Sequence, residues 1–375
     1  SLHSLHHRPG AGVTVGYSVS VDRIGQHGEL KRSEEYICAS TAQLSDVDTS
    51  RLVYMKYDGM RVVLWRYPED PELPALMIAT SPGRMSTVLD TPVNVDLKSY
   101  RPTRRAVVKI SDSSGQVLYG KVMRPHQARD LSSRHEMLAR SGVCAPRVVL
   151  FDERGLVLLS HAQGEPLANF FSRGMGDAAE RMLNSLENVL DSFPSQVLSL
   201  PRRAAWADRP RQYAHAASTA IPEAAARCKS VALGIESLMK HVDLGPLVPT
   251  HGDFYEANIY VDSTRAKVTS IIDIDSLGPG YRVDDWACLL GHMSVLPSLA
   301  PQAYPHVRAD LMRWIELLED KVDPLALSVR TSGVVLSLIA GAKRVDGKKW
   351  RTDALQRLEI AEWWLARARM WAAQS

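Results

Sequence analysis

His251 to Asp285 constrains this chain more than any other stretch. It reads His-Gly-Asp-Phe-Tyr-Glu-Ala-Asn-Ile-Tyr-Val-Asp, a short charged turn, then Thr-Ser-Ile-Ile-Asp-Ile-Asp-Ser-Leu-Gly-Pro-Gly-Tyr-Arg-Val-Asp-Asp. Two short apolar runs, 259–261 and 268–272, predict a pair of strands. Asp253, Asn258 and Asp273 then fall at one edge of a hairpin. Phosphoryl transfer from a nucleotide calls for such a set. One carboxylate orients or deprotonates an attacking hydroxyl, and an amide with a second carboxylate holds Mg²⁺ against the phosphates. A lone Asp and Asn could equally cap turns. The whole constellation, over 35 residues, points to a site.

Composition narrows the class. A chain of 375 residues, 45% hydrophobic and 23% charged, predicts a globular protein of two or three packed lobes. Its 45 basic and 42 acidic residues leave a net charge of +3 and no extended Lys/Arg run, so nucleic acid is not an expected partner. Cys38, Cys144, Cys228 and Cys288 lie far apart without a Cys-x-x-Cys, the pattern of buried thiols in a reducing cytoplasm. With neither a signal-like amino terminus nor an 18-residue apolar run, no membrane span is expected.

In chain order, residues 1 to about 95 read as β-rich, with strand patterns at 13–21, 36–39 and 61–66. Asp70-Pro71-Glu72-Leu73-Pro74 predicts an extended surface connection. Arg8-Pro9 and Arg101-Pro102 each precede a strand, a turn and a second strand. That echo is either a degenerate copy of one hairpin or a chance likeness. Lys121 ends a strand, and a helix over 128–141 carries Glu136. Arg101, Arg104 and Arg105 either meet phosphate through charge-assisted hydrogen bonds or form a solvated basic turn. Helices are expected over 178–193 and 214–242, the latter broken at Pro222, and again at 286–294, 305–321, 325–344 and 353–372.

An Asp followed five residues later by an Asn resembles the protein-kinase catalytic loop. The surrounding letters differ. His251-Gly252-Asp253, Ile-Ile-Asp-Ile-Asp in place of Asp-Phe-Gly, and the missing Ala-Pro-Glu resemble instead the aminoglycoside phosphotransferase and choline kinase family. The amino-terminal extension followed by Asp-Pro-Glu-Leu-Pro is also similar to maltokinase-like bacterial sugar kinases. The resemblance implies an α+β, protein-kinase-like bilobal fold: a β-rich extension over 1–95, a nucleotide-binding small lobe over 96–165 and a mainly helical catalytic and acceptor-binding lobe over 166–375.

The same resemblance implies roles. Asp253 is the catalytic base or hydroxyl-orienting group, and Asn258 and Asp273 are the Mg²⁺ ligands. Lys121 meets the nucleotide phosphates and Glu136 fixes the lysine; Arg105, outside the resemblance, is the candidate phosphate contact of the basic turn if that turn is not solvated. Backbone groups from Ser160 to Ala162 meet the adenine edge. His251 is structural, its ring bonding to backbone near Asp273, and Asp285 steadies the loop. Asp275, two residues past Asp273, shares its face if the strand continues, and either reaches a second metal or caps a turn. Three departures stand out: Tyr281 where the family commonly has an Asp, no Gly-x-Gly-x-x-Gly loop, and Tyr255 where protein kinases carry a phosphate-binding Lys.

The expected activity is transfer of the γ-phosphate of ATP or GTP, with Mg²⁺, to a hydroxyl of a sugar-like small molecule. The alternatives are an antibiotic O-phosphotransferase and a catalytically silent nucleotide binder. A protein acceptor is disfavoured by the missing activation-segment signature. Arg202, Arg203, Arg209, Arg211, Arg227 and Lys229, against Asp208 and Glu223, favour a neutral or anionic acceptor if they line the cleft, and are otherwise exposed helix faces.

Overall fold

The computed structural model describes residues 1–8, 12–24, 29–44, 52–344 and 349–374, in two compact units. One comprises residues 1–136 and 147–161, the other 137–146 and 162–375.

The first unit holds two antiparallel five-stranded sheets. Strands β1 (Leu2–Arg8), β2 (Gly12–Ile24), β3 (Leu30–Ser40), β4 (Val53–Tyr57) and β5 (Met60–Arg66) pair in the order β1-β2-β3-β5-β4. Helices α1 (Leu76–Ala79) and α2 (Pro82–Leu89) follow. The second sheet contains β6 (Val93–Arg101), β7 (Arg105–Asp112), β8 (Val117–Met123), β9 (Val148–Asp152) and β10 (Leu156–Ser160), with α3 (Pro125–Arg140) between β8 and β9. Its order, β6-β7-β8-β10-β9, repeats that of the first sheet. β1 and β6 both end on the arginine of an Arg-Pro pair; Pro9 itself lies outside the described residues.

Two-residue alternation builds the core of the second sheet. Ala106, Val108 and Ile110 of β7, Leu118 and Val122 of β8, and Leu156 and Leu158 of β10 pack with Leu73, Leu76, Ala79 and Met85. The Asp70–Pro74 stretch is therefore no surface connection. Asp70 and Glu72 are 4% and 3% exposed, and Leu73 sits in the core. The Asp70 carboxylate accepts from Tyr100 Oη (2.7 Å) and from the amides of Thr103 (2.7 Å) and Glu72 (2.9 Å), while Arg124 meets Glu72 at 2.8 Å. Partners of this number offset the cost of burying charge.

The second unit contains β11 (Glu165–Pro166), α4 (Leu167–Arg173), α5 (Ala179–Asp191), α6 (Pro210–Ala220), α7 (Ala225–Leu238), β12 (Leu247–Thr250), β13 (Ile259–Asp262), β14 (Lys267–Ile271) and β15 (Gly278–Tyr281). Helices α8 (Arg282–Leu299), α9 (Val307–Glu319), α10 (Pro324–Leu338) and α11 (Trp350–Ala372) complete it. The expected break at Pro222 separates α6 from α7. α6 starts four residues before the predicted Ala214, at Pro210, because a proline in the first turn loses no hydrogen bond. Residues 324–342 do form one helical stretch apolar and long enough to cross a membrane, against expectation, but 78% of it is buried inside the protein. It is the core helix, packed against α8 and α11.

Candidate active site

β12 pairs with β15 and β13 with β14, and the loop His251–Asn258 connects the two pairs. Its shape follows from a few specific bonds. Gly252 has φ 78°, and a Cβ there would lie 2.7 Å from the Ser276 carbonyl oxygen, so only glycine fits. The buried Asp285 carboxylate accepts from the amides of His251 (3.0 Å) and Gly252 (2.9 Å). Burial pushes its pKa up to about 7, against the opposing pull of those amides and of Arg282. His251 Nε2 lies 3.0 Å from the Ile272 carbonyl, and its Nδ1 accepts from the Asp253 amide at 3.3 Å. That pair of contacts requires the proton on Nε2. Phe254 points inward, edge-on to the buried Trp286, and pins the loop to the core.

Asn258 Nδ2 donates to the Asp253 carbonyl at 3.0 Å. This fixes the amide and turns its Oδ1 away from that bond. The Ile272 amide donates to the Asn258 carbonyl at 2.9 Å, which sets Asp273, the next residue, beside Asn258 along the backbone. β14 ends at Ile271, and Asp273 itself adopts a left-handed conformation (φ 60°). A 3₁₀ turn over Ile274–Ser276 follows, so strand alternation does not put Asp275 on the face of Asp273. Tyr255 stacks on His292 with ring centres 4.2 Å apart, and burial holds the His292 pKa down to about 4. Burial and the carboxylates of Asp253, Glu256 and Asp273 raise the Tyr255 phenol, so one ring feels both candidate acidic groups.

Sequence reading missed two residues here. Trp206 donates its Nε1–H to Asp253 Oδ1 at 3.2 Å while remaining 40% exposed. Arg330, buried in α10, donates to Asp284 (2.6 Å) and Asp208 (2.6 Å), and Asp208 in turn accepts from the Ala205 amide at 2.8 Å. The segment carrying Trp206 is thereby tied to the core. A single Arg in the run Leu325–Leu338 was the readable signal for that tie, since an arginine within an apolar helix needs a buried partner.

The remaining predicted residues belong to the first unit or its boundary. Lys121 sits on β8, paired with Val107 and Val157, one residue from each of two core positions, Gly120 and Val122, and so on the opposite face. Glu136 is exposed on α3 and accepts from Ser132 Oγ at 3.5 Å. Arg105 opens β7 opposite Arg101. The turn between them is anchored: Pro102 and Thr103 are buried, and Thr103 takes φ 63°, held by its amide's bond to Asp70. The Ser160 amide donates to the Arg147 carbonyl and its Oγ accepts from the Arg147 amide, both at 2.9 Å. This takes the Ser160 amide out of the set available to a base edge. Ala162 is buried at the start of the second unit.

Among the described residues no group of three or more His, Cys, Asp or Glu could hold a metal. Mg²⁺ does not need one, because one or two carboxylates and nucleotide phosphates suffice. The oxygen donors of Asn258 and Asp273 fit that ion.

Comparison with known proteins places the fold. Solved structures with similar folds include the aminoglycoside phosphotransferase APH(4)-Ia, at 13% identity and TM-score 0.52, covering 76% of this chain and 96% of that one. The GDP and kanamycin complex of APH(2")-IIIa matches at 17% identity and TM-score 0.50, covering 74% and 96%. Plasmodium vivax ethanolamine kinase matches at 12% identity and TM-score 0.47, covering 73% and 83%. Among curated protein sequences no match is found. Residues 98–325, well over half of the chain, match the family model described as APH, phosphotransferase enzyme family. The chain belongs to that family, and is a small-molecule kinase of protein-kinase-like fold that phosphorylates a hydroxyl group.

Proposed function

We propose that this protein transfers the γ-phosphate of ATP or GTP to a hydroxyl of a sugar-like small molecule, with Asp253 at the reacting centre. The observation that carries the reading is the loop geometry. Asp285 holds the His251 and Gly252 amides just before Asp253, Asn258 donates to the Asp253 carbonyl, and Trp206 engages the Asp253 carboxylate, the group assigned to the acceptor hydroxyl. The hydroxyl oxygen bonds to the γ-phosphorus, the bond to the β,γ-bridging oxygen breaks, and the nucleoside diphosphate leaves with that electron pair. Asp253 orients the hydroxyl and receives its proton. In a loose transition state positioning outweighs early proton abstraction.

Asn258 Oδ1 and the Asp273 carboxylate would hold Mg²⁺, which when bound neutralises charge on the phosphates. His251, with its proton on Nε2, and Asp285 are positioning residues for the loop. In the first unit Lys121, Glu136 and Arg105 are assigned to the phosphate side of the nucleotide, and the Ala162 backbone to its base. All four cysteines are free thiols, three of them buried, in keeping with a reducing cytoplasm.

An antibiotic acceptor is the second reading, prompted by the kanamycin in one similar structure. Three arginines close to Trp206 weigh against a polycation. The test is an ADP-release screen of sugars, aminoglycosides and amino alcohols, alongside thermal stabilisation by nucleotide with and without Mg²⁺. Asp253→Ala is expected to lose turnover on every acceptor while Mg·ATP still raises the melting temperature. Full turnover in that variant would remove Asp253 from the mechanism.

A further inference from the structure

Next to Asp253 the second unit has a cleft of about 170 Å³ lined by Arg202, Arg203, Trp206, Arg209, Tyr213 and Gly252, among others. Its lining is basic. Arg203 Nη1 donates to Ser276 Oγ at 3.4 Å, and the Arg202 guanidinium sits 5.0 Å from the centre of the Tyr281 ring. Among the described residues none of Arg202, Arg203 and Arg209 takes part in an ion pair. The two acids at the cleft wall and just behind it, Asp284 and Asp208, are both engaged by buried Arg330. Arg330 offsets one of their two negative charges, so the three guanidinium groups of the cleft still outnumber the acids around it. Trp206 and Tyr213, with ring centres 6.3 Å apart, add flat apolar surface. The segment is rigid as well. A Cβ on Gly333 would lie 2.9 Å from the Ala207 Cβ, so α10 approaches the chain directly beneath Trp206.

Size points the same way as charge. Pockets for drug-sized ligands run to roughly 300–1,000 Å³, so this cleft suits a monosaccharide-sized molecule better than an oligosaccharide antibiotic. Guanidinium groups recognise carboxylate and phosphate through paired N–H donors. We propose that the acceptor is a small sugar or polyol bearing a carboxylate or phosphate, with its ring against Trp206, its anionic group on Arg202, Arg203 and Arg209, and its reacting hydroxyl at Asp253. This rests on the kinase reading above and narrows its acceptor class.

The experiment is titration calorimetry of the full chain with glucuronate, glucose 6-phosphate, glucose and kanamycin, repeated with Arg202→Ala/Arg209→Ala and with Trp206→Ala. One or both anions are expected to bind at least about tenfold more tightly than glucose, the size of one charge-assisted contact. The first variant should erase that preference, and Trp206→Ala should weaken glucose and the anions together. The arm that binds more tightly tells a sugar acid from a sugar phosphate. The proposal is overturned if neither anion binds, if glucose or kanamycin binds as tightly, or if the arginine variant keeps the preference. The kinase reading stands or falls separately, on whether Mg·ATP stabilises the protein and any acceptor releases ADP.

Discussion

Asp285→Asn separates two things that one carboxylate does in this fold. In the folded chain its pKa is raised to about 7 from a usual 3.8. The folded state therefore holds the proton more tightly than the unfolded chain does. Stability from this group is fully present below about pH 4 and is lost as pH rises through about 7, roughly 4 kcal/mol at 1.36 kcal/mol per unit. Asparagine does not titrate, so the variant lacks that slope. Catalysis runs the opposite way. The ionised carboxylate accepts from both the His251 and Gly252 amides, whereas an amide or a protonated acid turns a donor toward one of them. An orphaned buried N–H costs about 2 kcal/mol, which is about 30-fold in kcat if the whole cost falls on the ordered loop. Wild-type kcat is expected to fall as pH drops from 8 to 6. Asp285→Asn should sit near the lower value throughout. Urea unfolding of both proteins at pH 5 and pH 8 measures the stability side, and ADP-release kinetics the other. An unfolding free-energy gap between the two proteins that is equal at pH 5 and pH 8, or full kcat in the variant, would refute the reasoning.

Two further substitutions probe how the loop and its neighbour are held. Gly252→Ala introduces a Cβ 2.7 Å from the Ser276 carbonyl oxygen at φ 78°; the left-handed backbone alone costs about 1–2 kcal/mol. Turnover is expected to collapse while circular dichroism shows the helices intact, and unchanged kinetics would mean the loop relaxes freely. Arg330→Met strands Asp208 and Asp284 without their cation, a change expected to cost about 3–5 kcal/mol. A chemical melt reads this directly, and a loss under 1 kcal/mol would show that the carboxylates find water instead.

The parts of this molecule that were legible in its sequence are those where chemistry fixes residue type and spacing together. Asp253, Asn258 and Asp273 stand out because the strand pair that follows the loop fixes their spacing. The helices of the second unit follow from apolar spacing, and their break follows from Pro222. What could not be read depends on partners distant in sequence. Trp206 reaches Asp253 across 47 residues, and Arg330 reaches Asp208 across 122. Asp70 is buried only because Tyr100 and Thr103 bring donors to it from 30 and 33 residues away. Local pattern assigns an Asp-Pro-Glu-Leu-Pro to the surface because it cannot see those donors. Each such residue has a polar group satisfied from elsewhere in the fold. Three of these distant ties, Trp206 on Asp253 and Arg330 on Asp208 and Asp284, shape the cleft beside Asp253. The loop to which the family's chemistry is assigned is the part that the sequence announces. On the proposal made above, acceptor choice lies in the side chains that tertiary contacts deliver to that loop.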